Sequence, residues 1–272
     1  MPKTYLDGRE IKRWWLDGRE VSRSYLDGRL VFQKETRIDL DWHDYGLSGQ
    51  WVLDRVLGAF NGPPPVGATI RFVVAPGIQL VSDNNIGECF RMDGGWWYGV
   101  FANCQVIIEN HGFILGRGGQ GGDTGPGWQT AGQAGGPAII SQGVPLLVAN
   151  YGVIAGGGGG SGATGWYDGG SGNYNSTGGG GAPFGPGGPT NNGSNNRWWG
   201  SAASFDTPGH SGGGPGGNVP GGNWGEKGGD GLFKQAGGAR SAVAGGAAGT
   251  AIICNNAAFG WINRGDIRGN AP

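Results

Sequence analysis

The sequence predicts a mainly β and irregular protein in two parts: a β-rich N-terminal part, then a stack of glycine rods in the polyproline II conformation. Three observations carry that prediction. Glycine is unevenly spread, with 13 of the 65 before Gly112 and 52 in the 161 residues from there on. The glycines are also in phase: in Gly116-Arg117-Gly118-Gly119-Gln120-Gly121-Gly122-Asp123 every third residue carries a side chain and the two between are bare. Before Gly112, short apolar runs are bounded by Gly and Pro, the signature of strands.

A period of three matches neither an α-helix nor a strand, but it does match the left-handed polyproline II helix, with 3 residues per turn and about 3.1 Å rise. Pro126 keeps the phase, as do Pro183, Pro186 and Pro189, and Trp224, Lys227, Asp230, Phe233, Ala236 and Ala239. Such a rod has no internal hydrogen bonds. With two glycines in three, its bare edges let rods approach and bond one another. Ordering glycine costs more entropy than ordering any other residue, so only a cooperative bundle holds. A flexible Gly-rich linker is the bland alternative. The phase, the prolines and the bulky aromatics oppose it.

Residues 5–34 repeat three times: Tyr5-Leu6-Asp7-Gly8-Arg9, Trp15-Leu16-Asp17-Gly18-Arg19 and Tyr25-Leu26-Asp27-Gly28-Arg29. Asp-Gly is a strong hairpin-turn signal, because a type I′ turn needs φ > 0 at both central positions. The plain reading is a β-meander whose aromatic faces pack on the domain after it. The sharper one takes Tyr5, Leu6, Trp15, Leu16, Tyr25 and Leu26 as three knobs suited to a partner with three equivalent pockets, such as a trimeric shaft end. Next, Ser48 is placed to cap a short helix carrying Trp51, Arg55, Val56 and Phe60, with Gly58 weakening it. Asp39, Asp41, His43 and Asp44 read as solvated turn residues rather than cation ligands.

From Gly67 to Gly116 the pattern is β: strands at Thr69–Val74, Ile78–Val81 and Val106–Glu109, with a turn at Pro76-Gly77. An N-x-G-x-I-x-G unit closes this stretch at Asn110–Gly116 and returns at Asn150–Gly156 and Asn263–Gly269. The last two copies each follow an Ala-Ile-Ile by the same spacing, Ala138–Ile140 and Ala251–Ile253, so this is an internal repeat. These units are expected at rod ends, carrying the apolar packing the rods lack.

Between rods lie segments rich in aromatics, Asn and Ser: 128–133, 166–177, 190–206 and 218–233. Rods that fold back and forth throw such segments out as loops. Large rigid aromatics set among small polar residues are the chemistry of a protein-binding surface. The candidate contacts are Trp128, Trp166, Tyr167, Tyr174, Asn175, Arg197, Trp198, Trp199, Phe205 and Trp224, with Arg197-Trp198-Trp199 the foremost. The same aromatics have a second possible use, folding inward to pin the rods.

The totals narrow the classes. Hydrophobic residues are 37% and charged residues 14% of 272, so an ordinary apolar core fills only part of the chain. A net charge of −1 argues against nucleic acid or anionic membrane partners. Cys89, Cys104 and Cys254 lack metal or disulfide-scaffold spacing and read as small buried residues. No signal peptide follows Met1, and no run approaches a membrane span, so synthesis in the cytoplasm is expected. Gly209-His210-Ser211-Gly212-Gly213 fits the GxSxG pattern without the strand-to-helix context of a nucleophile elbow. The glycine loops lack a P-loop lysine or a βαβ unit. No enzyme, cofactor or metal is expected.

The strand-rich run that ends Ile107-Ile108-Glu109-Asn110-His111-Gly112-Phe113-Ile114-Leu115-Gly116-Arg117-Gly118-Gly119, followed by glycine tracts alternating with aromatic/Asn segments, resembles the glycine-rich receptor-recognising adhesins at the tips of T-even-like bacteriophage long tail fibres. The likeness covers about residues 67–272. It implies a β-rich attachment domain bearing a sandwich of packed polyglycine II helices, held at the distal end of the trimeric tail fibre shaft protein of the same phage. Variable distal loops would bind a host outer-membrane protein or surface glycan, without nucleic acid or membrane insertion. The tracts fall at Gly116–Gly127, Ala155–Gly162, Gly178–Gly188, Gly209–Gly222 and Gly225–Gly246. The implied division is 1–34 for fibre docking, 35–115 for attachment and 116–272 for the sandwich. The triple Leu-Asp-Gly-Arg repeat is not part of the likeness. A fibre-assembly chaperone that leaves the finished particle, or an antifreeze-type glycine-rich protein with a flat Thr/Ala face, are the other classes. Presence on virions excludes the first, and the aromatic loops argue against the second.

Overall fold

The computed structural model describes residues 5–6, 9–10, 14–16, 19–21, 23–26, 29–33, 35–47, 49–65, 67–82, 89–92, 101, 104–125, 128–168, 172–189, 197–213, 218–235 and 240–272. The three N-terminal repeats form three hairpins: β1 (Tyr5–Leu6) with β2 (Arg9–Glu10), β3 (Trp14–Leu16) with β4 (Arg19–Val21), and β5 (Arg23–Leu26) with β6 (Arg29–Gln33). Each pairs only within itself among the described residues, so they do not form one continuous meander. Their registers agree, Leu6↔Arg9, Leu16↔Arg19 and Leu26↔Arg29, which leaves two residues for each Asp-Gly turn. The turns and these side chains lie outside the described residues.

From residue 36 the chain winds as a three-sided parallel β-solenoid. Strand β7 (Thr36–Leu40) lies on the first face and β8 (Asp44–Leu47) on the second, and helix α1 (Gly49–Phe60) follows. Ser48, the expected cap of that helix, lies outside the described residues. The next turns place β9 (Thr69–Val74) and β12 (Gln105–Asn110) on the first face, and β10 (Gln79–Ser82) and β13 (Phe113–Leu115) on the second. Strand β11 (Phe90–Met92) opens the third face. A small hairpin of β14 (Thr124–Gly125) and β15 (Trp128–Gln129) then intervenes. The winding resumes with β16 (Ile139–Gln142) on the third face, β17 (Leu146–Asn150) on the first and β18 (Val153–Ala155) on the second.

Five strands then leave the solenoid: β19 (Thr164–Asp168), β20 (Gly172–Ser176), β21 (Arg197–Trp198), β22 (Gly231–Gln235) and β23 (Arg240–Val243). The last turn is β24 (Ile252–Asn255), β25 (Phe259–Asn263) and β26 (Asp266–Arg268). The first face thus runs β7-β9-β12-β17-β25, the second β8-β10-β13-β18-β26 and the third β11-β16-β24, each in parallel register. The boundary expected between residues 115 and 116 is therefore not a boundary in space, because every face takes strands from both sides of it.

The repeats explain the stacking. The Ala-Ile-Ile copies pair directly, Ile139↔Ile252 and Ile140↔Ile253. The three N-x-G-x-I-x-G copies stack as Ile114↔Ile154 and Ile154↔Ile267. At the corner between the first two faces, fully buried Asn110 donates from Nδ2 to Asn150 Oδ1 at 2.8 Å, and Asn150 Nδ2 donates to the Asp266 carbonyl at 2.9 Å. This asparagine ladder satisfies backbone and side-chain groups that an apolar corner would leave unpaired. The motif glycine is demanded by close approach: a Cβ on Gly152 would overlap the Gly112 carbonyl oxygen.

The prism interior is an ordinary apolar core of Leu40, Ile70, Phe72, Phe90, Met92, Ile108, Ile114, Ile139 and their neighbours. Val52 and Val56 seat α1 against it, and α1 ends at Asn61 in the left-handed region (φ 53) ahead of Pro63-Pro64-Pro65, a common helix stop. Cys89 and Cys104 are buried and Cys254 is partly so.

The glycine tracts are inserted at the second-face strands. After β13 the chain leaves as 116–123 and returns as 130–137; after β18 it leaves at 156 and returns only at 250. Among the described residues most glycines of these passages lie outside strands and helices, yet many of their amides are bonded. From Gly157 to Gly162 successive amides donate to the carbonyls of Gly136, Ala182, Glu226, Gln133, Gly179 and Gly229, at 2.7–3.0 Å. Every third amide returns to the same neighbouring tract, three residues along. The carbonyls of Gly157, Gly158 and Gly159 in turn accept from Gly249, Gly119 and Gly222. Tract 156–163 is thus enclosed by 116–123, 130–137, 177–182, 219–222, 226–230 and 244–250, and each of its residues is buried.

Candidate functional site

The tracts run away from the solenoid and back, so the segments between them fall into two groups. One group turns against the second face of the solenoid. Phe184, Phe205 and Trp224 sit at three such turns; Phe205 and Trp224 pack with Phe113 of β13 and Phe184 packs on Phe205, with ring centroids 5.7 Å apart for Phe113–Phe205, 5.8 Å for Phe113–Trp224, 5.1 Å for Phe205–Trp224 and 6.1 Å for Phe184–Phe205. Trp224 is buried, its Nε1 donates to the Phe205 carbonyl at 2.7 Å, and Arg268 covers its ring at 5.4 Å. The satisfied indole and the surrounding rings make this an anchor. Phe205 and Trp224, expected as exposed contacts, are corrected here: they pin the rods to the base.

The other group gathers at the far end of the rods. Strands β19 to β23 assemble there in the order β21-β20-β19-β22-β23, although residues 164 and 243 at its ends are far apart in sequence. The hairpin β14–β15 lies beside it, touching β20. Three indoles are open to solvent in this region, Trp128 at 42%, Trp166 at 37% and Trp199 at 70% exposure, and Trp198 is half-buried. Leu232 joins them at 43%. Tyr167 and Tyr174 lie on β19 and β20 and Arg197 on β21; their side chains are outside the described residues.

Asn175 is the remaining correction: at 3% exposure it faces inward and cannot meet a large partner. Its row alternates with the exposed one because successive strand residues point to opposite faces. Sequence reasoning missed Phe113 and Phe184 as anchors, and Leu232 and Lys234 at the tip. The signal available for the anchors is length. Their turns are two or three residues long, whereas the tip segments are long and polar.

Ser211, the serine of the GxSxG pattern, is buried, and its Oγ accepts the Val219 amide at 2.8 Å. It closes a turn. On the solenoid's first face a polar network crosses four turns: Glu35 holds Arg71, Arg71 Nη1 donates to Glu109 at 2.8 Å, His111 Nε2 lies 2.9 Å from Glu109, and His111 stacks on Tyr151 at 4.9 Å. The hydrogen bond from His111, then that from Arg71, holds the Glu109 carboxyl below its ordinary value of 4.5, against an opposing push from burial. A carboxylate depressed on folding stabilises above the unfolded value, and that stability drains as pH falls through the lower folded value. We expect part of the unfolding free energy to be lost as pH falls from the ordinary carboxylate range through the depressed value of this group. In denaturant titrations at pH 3–7, Glu109→Gln removes that part of the slope.

A base wound from parallel strands that carries a platform of glycine tracts, with exposed indoles held out at the far end among the described residues, has the form of a surface-binding protein. The particular class is shown by comparison. The family model described as phage tail fibre adhesin Gp38 matches residues 36–272, so the chain belongs to the Gp38 family and is a receptor-binding adhesin of a bacteriophage tail fibre. The triple repeat lies before that match. The fold is also that of a solved structure, the gp37-gp38 adhesin tip complex of the bacteriophage S16 long tail fiber, with 24% identity and a TM-score of 0.63 over 88% of this chain and 83% of that chain. None of the curated proteins matches it. Among the described residues no helix is long and apolar enough to cross a membrane.

Proposed function

We propose that the glycine tracts are polyglycine II helices and that the sandwich they form presents its far end to a host outer-membrane protein or surface glycan. The observation that carries this is the rotation of successive amides of 157–162 among three neighbouring tracts, with a return every third residue. That is the pattern required of a threefold helix without internal bonds. A platform so interlocked lowers the ordering cost of binding at its tip, while the loops vary without disturbing the rods.

In this reading Trp128, Trp166, Trp198 and Trp199 meet the receptor, with Tyr167, Tyr174 and Arg197 on the same strands. The role is binding rather than catalysis. In binding of the purified protein to the adsorbing strain, Trp128→Ala and Trp166→Ala each lower affinity by about tenfold, the usual scale of an aromatic anchor. Unchanged affinity in both, with the fold intact, would sink the placement of the receptor site.

The base then faces the shaft. Three hairpins of equal register suit the three chains of a trimeric fibre protein, and in the S16 long tail fiber gp38 is found in an adhesin tip complex with gp37. Residues 1–34 dock on it through Tyr5, Leu6, Trp15, Leu16, Tyr25 and Leu26, and the adhesin sits at the distal tip of the virion's fibre. Deletion of 1–34 abolishes co-purification with the fibre protein of the same phage while leaving cell binding by the free adhesin in place. Retained co-purification would move docking to the solenoid.

A further inference from the structure

The distal sheet carries a row of residues that the exposed indoles alone do not explain. Its register sets Tyr174 beside Trp166, Trp166 beside Lys234 and Lys234 beside Arg240. Directly opposed residues share a face, so these four positions form one line across β20, β19, β22 and β23. Lys234 Nζ lies 5.0 Å from the centre of the Trp166 ring, and Arg240 is exposed. Like charges directly opposite one another on neighbouring strands are destabilising. Among the described residues neither cation has a carboxylate partner, because the ion pairs there belong to other groups. The carboxylate nearest in sequence, Asp230, is held by Lys227 Nζ at 2.7 Å and by the Gly245 amide at 2.8 Å.

We propose that this row is a subsite for a phosphate-bearing saccharide of the host surface. A phosphate monoester carries about −1.5 to −2 charge and three acceptor oxygens, enough to neutralise both cations at once, with the Arg240 fork and the Lys234 point charge as complementary donors. A carboxylate on an extracellular protein loop neutralises only one of them. Trp166 supplies the apolar face against which ring carbons lie. The inference rests on the far end of the rods being the receptor-binding end.

The test uses the full chain and purified lipopolysaccharide from the adsorbing strain, either intact or chemically dephosphorylated. Wild type binds the intact form at least tenfold more tightly, and added salt weakens the preference. The double variant Lys234→Gln/Arg240→Gln binds both forms alike, Arg240→Glu loses intact lipopolysaccharide further, and Lys227→Gln, away from the row, behaves as wild type. Equal wild-type binding to both forms, or a phosphate preference retained by the double variant, overturns the subsite. So does undiminished capture by the double variant of a protein receptor free of lipopolysaccharide as the sole ligand. These failures leave the tip itself standing, because loss of whole-cell binding in the Trp128 and Trp199 variants, outside the row, is read separately.

Discussion

Gly158→Ala is expected to destabilise the adhesin by at least about 3 kcal/mol and to lower Tm by about 6–12 °C. Gly158 lies in the tract enclosed on all sides, and a Cβ there would overlap the carbonyl oxygen of Gly222. Neither chain can yield alone. Gly158 donates to Ala182 and its carbonyl accepts from Gly119, while Gly222 donates to Gly159, so relieving the overlap stretches several bonds, each contributing about 1 kcal/mol net. Two other glycines serve as contrasts, because a Cβ on either meets nothing within 4 Å. Gly213→Ala, at the surface, changes stability by no more than about 0.5 kcal/mol. Gly58→Ala, inside α1, raises it by about 1 kcal/mol, since alanine is the better helix former. Thermal unfolding of the three variants checks this, and Gly158→Ala within 1 kcal/mol of wild type would mean that the tracts are loose enough to make room.

The three-residue recurrence of hydrogen bonds along 157–162 follows from a local property of the sequence: which residues lack a side chain decides which edges of a tract can touch another. The N-x-G-x-I-x-G units were legible for the same reason, and each letter has a place, asparagine in the ladder, glycine at the close corner, isoleucine inside. The solenoid was not legible. Its turns are interrupted by 116–138 and 156–251, so β18 and β26, adjacent in space, are separated by the whole platform. Short strands such as Phe113–Leu115 carry too little pattern to announce their partners. Each face therefore looks in sequence like an isolated β fragment, and the division at residue 115 follows from that appearance.

The candidate tip was legible in composition and not in polarity. Aromatic residues between glycine tracts mark many of the reversals, though not the one that Ser211 closes, and reversals alternate between the base and the far end. At the base an aromatic ring has the second face of the solenoid to bury against, with Val81, Leu115 and Ala155 beneath it. At the far end it has water. Composition does not distinguish these cases, whereas the order of reversals along the chain does. The basic row across β22 and β23 escaped notice for a related reason, since Lys234 and Arg240 meet only through hairpin register.

That alternation yields the second large effect, a separation of stability from binding between two tryptophans 25 positions apart. Trp224→Ala removes a buried indole, its hydrogen bond to Phe205, two ring contacts and the Arg268 contact, leaving a cavity between base and tracts. A loss of about 3–5 kcal/mol is expected, with faster amide exchange first in the tracts around 219–230. Trp199→Ala removes a side chain 70% exposed to solvent. Its unfolding free energy stays within about 0.5 kcal/mol of wild type, while affinity for the adsorbing strain falls by about tenfold or more, the scale of a truncated interface anchor. The folded fraction of Trp224→Ala should bind nearly as wild type once corrected for its stability, because no part of that indole reaches the surface that meets the cell. If instead Trp224→Ala folds normally and fails to bind, the base-side turns contact the receptor and the two ends of the platform must be exchanged. If Trp199→Ala unfolds and Trp224→Ala does not, the distinction between inward and outward reversals is reversed.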